Sequence, residues 1–401
     1  MWMGVRMFRD INWMQRGGNI LFFMLIFVIM LDPTNTVLHL KDVFFILLVG
    51  YNCLFFKPDF SYLPHILVIY GVICLGYVFS EMQMNELDPD MFMGIVKGFS
   101  PLVLLLWCHH YDIMKLTVVP ALMVCVLITI LYIVVSSSEV IELFVFNYVS
   151  EHNKMIMMTR RSFLGIRIFG MYYKSIISFV FALYICYNRL YNEKGKRFRL
   201  IPASLFMTFS FLISGTRATM LLPFFMLGLV SYKSILKWKR VRYFLYPLVA
   251  MFAIFLLVLI LMLATEKGEL SNAIKYAHLT SYAQLFEAHP EYFLFGQGPG
   301  AVFYSEGFHR WTSQTEWTYI ELFRNYGLLS LVIVSVILLP LKHLLPYWKN
   351  EEVLGIMGAY VAFLFIAGTN PLLVSSTGMI VILAIYSYVH KLSCGAMNLK
   401  S

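Results

Sequence analysis

A short break of small and polar residues, Ser214-Gly215-Thr216-Arg217, separates two apolar runs and ends on a cation. The planar guanidinium of arginine can hold phosphate oxygens in a bidentate manner, and the free backbone amides of a helix N-terminus would add further donors. Arg217 is therefore a candidate diphosphate-binding and catalytic residue. The competing interpretation is that Arg217 extends from a helix end to a membrane interface.

Three further arginines, Arg160, Arg161 and Arg167, lie in a polar segment at residues 136–168. If this segment is helical, a spacing of seven residues places Arg160 and Arg167 on one face and turns Arg161 about 100° away. This cationic cluster predicts binding of an anionic ligand. A surface helix that touches lipid headgroups would show the same pattern.

A second long polar segment, residues 265–317, alternates charged and aromatic side chains. Aromatic faces stack on sugar rings while polar groups bond sugar hydroxyls, so the mixture predicts a carbohydrate site; a membrane-interface belt of aromatic residues is the alternative. Its candidate substrate-binding residues are Lys275, His278, His309 and Arg310.

Two carboxylates flank the start of the apolar run that follows this segment. Glu316 is the candidate general base, because a partly buried carboxylate can have a raised pKa suited to proton abstraction. Glu316 could instead cap the helix that begins there. Glu321 is better explained as an ion-pair partner of Arg324, three residues further along a helix.

Metal and nucleotide chemistry find little support in the sequence. No two histidines have HxxxH spacing, and Asp88-Pro89-Asp90 is explained by a turn. The segment Gly296-Gln297-Gly298-Pro299-Gly300 lacks the GxGxxG spacing of a dinucleotide site, so it predicts a flexible turn. We expect no metal and no cofactor.

Composition identifies the setting in which these residues must act. Hydrophobic residues make up 60% of the chain and charged residues only 13%, with a mean hydropathy of +0.74. These values exclude a soluble fold and predict an all-α polytopic membrane protein, a single domain over residues 1–401. The net charge is +9, but the basic residues are scattered over short connections, which argues against nucleic-acid binding.

About twelve transmembrane helices are predicted from runs long enough to cross a bilayer. They lie at residues 18–32, 38–56, 63–79, 91–108, 116–135, 169–189, 200–213, 217–232, 243–264, 318–340, 352–368 and 372–389. Because alternate connections collect lysine and arginine, the positive-inside rule makes those connections and both termini cytoplasmic. Segments 136–168 and 265–317 then become two long outer loops.

Three motifs in this order resemble the superfamily of O-antigen ligases and Wzy-type O-antigen polymerases. They are Ser214-Gly215-Thr216-Arg217, then His289-Pro290 with Gly296-Gln297-Gly298-Pro299-Gly300, then the segment from Glu316 through Glu321 to Asn325-Tyr326-Gly327. The resemblance implies a GT-C-like glycosyltransferase on the periplasmic side of a bacterial inner membrane. Its donor and acceptor would be undecaprenyl-diphosphate-linked oligosaccharides, without an obligatory metal, and a chain-length regulator protein would be a further partner.

Two departures from the ligase pattern favour a polymerase. In ligases the third motif usually starts with His-Asn, whereas here it starts with Glu316. The ligase arginine would align near Lys275. The resemblance then implies inverting transfer, with Glu316 as base and Arg217 and the first-loop arginines on the donor diphosphate. A ligase that delivers the glycan to lipid A core is the nearest alternative. A flippase or transporter is a more distant one, with Lys41, Asp42, Lys97 and Lys174 as charges along a pathway.

Overall fold

The computed structural model describes residues 2–152, 155–163, 166–193, 195, 197–237 and 268–399. Within these ranges it describes only the backbone of residues 2–12, 150–152, 159–163, 166–168, 197, 199, 217, 232–237, 268–272 and 396–399. The predicted helix at 243–264 lies outside the described residues.

The first part of the chain is helical. Its helices are α1 (Trp2–Leu31), α2 (Lys41–Phe55), α3 (Leu63–Met82), α4 (Pro89–Phe99), α5 (Ile113–Leu116), α6 (Val118–Ser136) and α7 (Glu139–His152). A 3-10 helix, Ser100–His110, continues the line of α4. Asp88 begins α4 by accepting hydrogen bonds from the backbone N–H groups of Asp90 and Met91, with Pro89 in the first turn. Asp88-Pro89-Asp90 is therefore the N-terminus of a helix, where the sequence predicted a turn.

An antiparallel ribbon follows, formed by β1 (Ile156–Phe163) and β2 (Ile166–Tyr173). The predictions of a helix at 169–189 and of helical spacing for the three arginines were wrong here, because strand β2 runs to Tyr173 and the next α-helix, α8 (Val180–Asn192), starts later. The segment Ile166–Tyr173 is rich in β-branched and aromatic residues, which favour a paired strand. An apolar run alone does not distinguish such a strand from a helix.

The second part contains two further helical groups. They are α9 (Arg197–Ile213) and α10 (Arg217–Lys237), then α11 (Gly268–Ala288), α12 (Tyr292–Phe295), α13 (Thr318–Tyr326), α14 (Ser330–Leu344), α15 (Glu351–Gly368) and α16 (Ser376–Leu399). A small hairpin, β3 (Phe303–Ser305) with β4 (Arg310–Thr312), lies between α12 and α13. The predicted helix at 318–340 is interrupted at Gly327, whose φ of +54° ends α13.

Seven helices in the described residues are long and apolar enough to cross a membrane, with two shorter apolar helices at Leu200–Ile213 and Ala218–Ser231. The mostly helical membrane character is confirmed. Helix α2, with 15 residues, spans only about 22 Å and falls short of a full crossing by length. The most buried of the seven spans is Ser376–Gly395, so α16 lies at the centre of the bundle.

The segment 296–301 packs against the turn that joins α3 to α4. Leu87 pairs with Ala301, and the Asp88 N–H donates to Gly300 O at 2.9 Å. A Cβ on Gly298 would lie 2.2 Å from Ser80 Cβ, and the φ of Gly298 is +108°. The predicted turn is present at Pro299 and Gly300, and it is packed, because these glycines allow a close backbone contact that no larger residue permits. We call the side of the bundle that carries residues 268–317 the loop face.

Candidate functional site

A cation and a carboxylate meet on the loop face where α11 passes the start of α13. Lys275 Nζ lies 3.6 Å from Glu316 Oε2, with side chains 30% and 41% exposed. The Trp317 indole N–H donates to Lys275 O at 3.3 Å, and the Lys275 ammonium lies 5.8 Å from the centre of the Trp317 ring. The indole thus positions the lysine through a hydrogen bond and a cation–π contact, and both charges stay accessible.

Glu316 does not cap the helix that follows it. The N-cap residue of α13 is Trp317, which makes no side-chain capping hydrogen bond. The described contact of the Glu316 carboxylate is with Lys275 instead, so the capping alternative from the sequence is not what the structure contains. This arrangement leaves a carboxylate beside a cation in a solvent-accessible position. A base and an anion-binding group are the two roles that such a pair can fill.

Tyr172, on strand β2, is influenced by the charge of Glu316. Burial raises the pKa of the Tyr172 phenol, and the nearby charge of Glu316 raises it further. The Tyr172 hydroxyl is buried without a hydrogen-bond partner among the described atoms. Tyr172 was not predicted from the sequence, because it lies in an apolar run and no pattern of polar residues surrounds it.

Only the backbone is described for the predicted arginines Arg160, Arg161, Arg167 and Arg217; their side chains lie outside the described atoms. The ribbon pairs Arg160 with Phe169 and Ser162 with Arg167. Because side-chain direction alternates along a strand, positions 160 and 167 share one face of the ribbon and position 161 is on the other. The expected grouping of these positions is kept, although the helix that suggested it is absent.

The break at Ser214-Gly215-Thr216 lies where the sequence predicts it. Helix α9 ends at Ile213, Gly215 has a φ of +65°, and α10 begins at Arg217. The hydroxyl groups of Ser214 and Thr216 both bond to the Thr219 hydroxyl, which ties the turn to the first turn of α10. The backbone amides of that first turn are thus presented at the end of the helix.

Helix packing brings this break to the depth of Glu316. Only a few residues separate α8 from α9 and α9 from α10, so α10 runs in the direction of α8. Helix α8 is antiparallel to α15, since Phe181 contacts Tyr360 and the later residue Tyr184 contacts the earlier residue Gly355.

Leu229 on α10 contacts Gly358 on α15. At 1.5 Å per residue, Arg217 lies about 18 Å from Leu229 along α10, and Gly368 lies about 15 Å from Gly358 along α15. The Thr318 hydroxyl bonds to Ala367 O at 2.8 Å, so the start of α10 and Glu316 are at the same end of the bundle.

His278 is fully buried, one turn beyond Lys275 on α11. Its Nδ1 lies 2.8 Å from Ser305 Oγ, its ring packs against Phe308, and its Nε2 has no partner among the described atoms. Burial lowers the pKa of this imidazole, which favours the neutral form. A substrate would have to displace the β3–β4 hairpin to reach it. Its predicted role in binding stays a prediction.

His309 and Arg310 lie on the exposed side of the β3–β4 hairpin. The Arg310 guanidinium lies 5.5 Å from the centre of the Phe308 ring. Neither residue has a described contact with the Lys275–Glu316 pair. Their predicted substrate contacts stay predictions.

Glu321 and Arg324 form a buried pair, as the sequence predicts. Arg324 Nη2 donates to Glu321 Oε2 at 2.8 Å, and Tyr282 donates to Glu321 Oε1 at 2.6 Å. Arg324 makes five hydrogen bonds, one from Nε and two from each Nη, the others going to Gln297 and to the carbonyls of Ala301 and Ser313. Since arginine has five N–H donors, none is free for a ligand. This network joins α13 to the 296–301 segment and is structural.

No group of three or more histidine, cysteine, aspartate or glutamate residues in the described part of the chain could hold a metal ion. Comparisons with protein-family models, with curated proteins and with solved structures found no match to this chain. What the fold and the site define is a class: a mostly helical membrane protein with an accessible cation–carboxylate pair at one end of the bundle.

Proposed function

We propose that this protein is a glycosyltransferase that polymerises undecaprenyl-diphosphate-linked oligosaccharide repeat units on the outer face of a bacterial inner membrane. The observation that carries the proposal is the Lys275–Glu316 pair, with a 3.6 Å separation, at the bundle end where α10 begins. A carboxylate is available for a hydroxyl, and cations and helix-end amides are available for a diphosphate. The sequence motifs that resemble O-antigen polymerases meet at this end.

In the proposed reaction, Glu316 takes the proton from a hydroxyl of the acceptor sugar. The hydroxyl oxygen attacks C1 of the donor sugar from the face opposite the leaving group, so the new C1–O bond forms as the bond from C1 to the diphosphate oxygen breaks. The undecaprenyl diphosphate leaves with the bonding electron pair. Direct displacement inverts the anomeric centre.

Lys275 and Arg217 have complementary roles in this scheme. Arg217, with the amides of the first turn of α10, binds the donor diphosphate and stabilises the charge that develops on it. Lys275 pairs with Glu316 in the structure. An incoming diphosphate competes for the lysine, which releases the carboxylate toward the acceptor. Arg160, Arg161 and Arg167 on the ribbon would extend the cationic surface.

The positions of Lys41, Asp42 and Lys97, three of the four candidate pathway charges, support an enzyme over a transporter. Lys41 is the first residue of α2 and its ammonium lies 3.3 Å from the Ser376 hydroxyl. Lys97 pairs with Asp42 at 3.6 Å, and both side chains are about half exposed. These three charges cluster at one end of α2. A translocation pathway would be expected to place them along the depth of the bundle.

The test uses proteoliposomes that contain the full chain and an undecaprenyl-diphosphate-linked repeat unit, with product length as the readout. We expect the unaltered protein to lengthen the glycan, and Glu316→Gln and Arg217→Ala each to abolish long chains. Glu287→Gln makes the same charge change on an exposed residue of the same segment and should keep activity. Lys233→Ala, near the opposite end of α10, should also keep it.

Three results would count against this function. Full-length product from Glu316→Gln would show that Glu316 is not the general base. Translocation of the lipid without lengthening would indicate a transporter. Transfer of the glycan to purified lipid A core by this protein alone would indicate a ligase, which uses the same donor chemistry with another acceptor.

A further inference from the structure

A cavity on the loop face is separate from the Lys275–Glu316 pair. It has a volume of about 550 Å3 and lies between the C-terminal half of α11, residues 83–85 and the β3–β4 hairpin. Neither Lys275 nor Glu316 lines it. Its volume falls within the range of about 300–1,000 Å3 that is usual for small-molecule sites.

The polar groups of this cavity include side-chain amides, hydroxyl groups and one histidine–glutamate pair. Gln284 on α11 makes no hydrogen bond to the described part of the chain, so its amide can both donate and accept. His289 Nδ1 lies 3.1 Å from Glu291 Oε1, and both side chains are 49% exposed. No lysine or arginine is among the described residues that line the cavity. This lining suits hydroxyl groups and lacks the cations that phosphate binding requires.

An aromatic pair forms one wall of the same cavity. Tyr304 and Trp311 face each other across the β3–β4 hairpin, with ring centres 5.9 Å apart and planes at 72°. Trp311 is 68% exposed and Tyr304 is 42% exposed. Exposed indole and phenol faces can stack on the apolar face of a sugar ring. Aromatics at a membrane interface are also exposed, but here the same cavity contains Gln284 and the charge of Glu291.

Hydrogen bonds hold the cavity walls in place, and these bonds do not involve Gln284, the His289–Glu291 pair or Trp311. Asn85 donates to Gln297 O at 2.8 Å and accepts from the Tyr292 hydroxyl at 2.8 Å, which joins residues 83–85 to the 296–301 segment. The Glu306 N–H donates to the Ser281 hydroxyl at 2.8 Å and joins the hairpin to α11. A site whose walls are bonded before a ligand arrives loses less entropy on binding.

We propose that this cavity binds an uncharged oligosaccharide, with a sugar ring stacked on Trp311 and sugar hydroxyls bonded by Gln284 and the His289–Glu291 pair. The identity of this oligosaccharide as the glycan that the enzyme lengthens rests on the proposed function. Because Glu316 lies outside the cavity, the bound sugars are away from the reacting end. The cavity then retains a growing chain between successive transfers.

The binding test uses the full chain in lipid nanodiscs and a panel of neutral tri- to hexasaccharides built on glucose, mannose, galactose, rhamnose or N-acetylhexosamines. Calorimetry should show saturable binding of at least one member. Trp311→Ala and Gln284→Ala should each weaken that binding by about ten-fold or more. Trp348→Ala, an exposed tryptophan on the connection between α14 and α15, should leave it unchanged.

The proposal is overturned if no member of the panel binds, or if a uronic-acid oligosaccharide binds more tightly than its neutral counterpart. Unchanged binding in Trp311→Ala would assign this tryptophan to the membrane interface and would also overturn it. Glu316→Gln separates the two proposals, since it should bind the oligosaccharide as tightly as the unaltered chain. Binding without lengthening by the unaltered chain would refute the polymerase and leave the cavity assignment standing.

Discussion

The Glu321–Arg324 and Lys275–Glu316 pairs each join a carboxylate to a cation but differ in how completely they are bonded. Every N–H of Arg324 is used, and its side chain is fully buried. Lys275 and Glu316 share one contact at 3.6 Å and remain partly exposed. A saturated pair holds structure, because any ligand would have to break several bonds to reach it. In a pair at the surface with unused hydrogen-bonding groups, either residue can exchange the other for a substrate group.

The Arg324 network leads to a prediction about stability. Arg324→Met should lower the free energy of unfolding by about 3–5 kcal/mol, because it leaves the Glu321 carboxylate buried without its cation. Thermal unfolding in detergent would measure the loss. The double variant Arg324→Met with Glu321→Leu removes both charges and should be more stable than the single variant. A single variant as stable as the unaltered protein would show that the network contributes little.

His278 leads to a prediction about pH. Burial lowers its pKa in the folded protein, so below the unfolded value of about 6.5 the unfolded chain binds more protons than the folded one. The stability that His278 contributes is therefore present above that pH and is lost as the pH falls. We expect His278→Asn to flatten the decline of the melting temperature between pH 8 and pH 5. His309→Asn, an exposed control, should keep the unaltered slope; equal slopes in all three proteins would contradict the argument.

At the scale of elements, two short breaks position the proposed chemistry. The Ser214-Gly215-Thr216 turn ends α9 and starts α10, and Gly327 separates α13 from α14. Each break uses a glycine with positive φ, which other residues adopt at a cost. Helix α13 therefore ends before Gly327. Its first residues contact α15 on the loop face.

The glycine-rich segment at 296–300 provides a prediction at this scale. Gly298→Ala should destabilise the protein by about 1–3 kcal/mol, since the new Cβ would meet Ser80 and the backbone would be strained at a φ of +108°. Gly94→Ala is the matched control, because Gly94 lies within α4 with nothing within 4 Å of the added Cβ. That control should be neutral or stabilising, as alanine favours helix more than glycine does. Equal melting temperatures for Gly298→Ala and the unaltered protein would show that the segment can yield.

At the scale of the whole molecule, the two ends of the bundle differ in the kinds of contact they make. On the loop face, the segment 296–301 bonds to the α3–α4 turn, and α13 bonds to the end of α15. At the other end lie short connections such as the one between α14 and α15. The proposed catalysis requires the loop face to lie on the outer side of the membrane.

Orientation can be tested directly with cysteine accessibility in a cysteine-free background. The reagent is a charged thiol reagent that does not cross membranes, and the cells are spheroplasts, whose outer membrane has been removed. We expect Glu287→Cys, on the loop face, to react with it. Lys349→Cys, between α14 and α15, should react only after the membrane is opened. The reverse labelling pattern would place the loop face in the cytoplasm and would refute the outer active site.

Several features could be predicted from the sequence because they depend on local chemistry. The length and apolarity of the runs indicate membrane helices, small polar residues mark the α9–α10 break, and i to i+3 spacing predicts the Glu321–Arg324 pair.

Other features depended on how segments of the chain pair and pack, which local composition does not specify. Strand β2 could pair with β1 only once the chain turned back on itself, and the apolar run at 166–173 was equally compatible with a helix. The Lys275–Glu316 pair joins residues 41 positions apart, and the Tyr304–Trp311 wall needs the hairpin that holds it. The sequence by itself determined which residue types were present to bind and to react. Only the tertiary structure decided which of them became buried and saturated and which stayed accessible, because burial and bonding depend on neighbours that packing supplies.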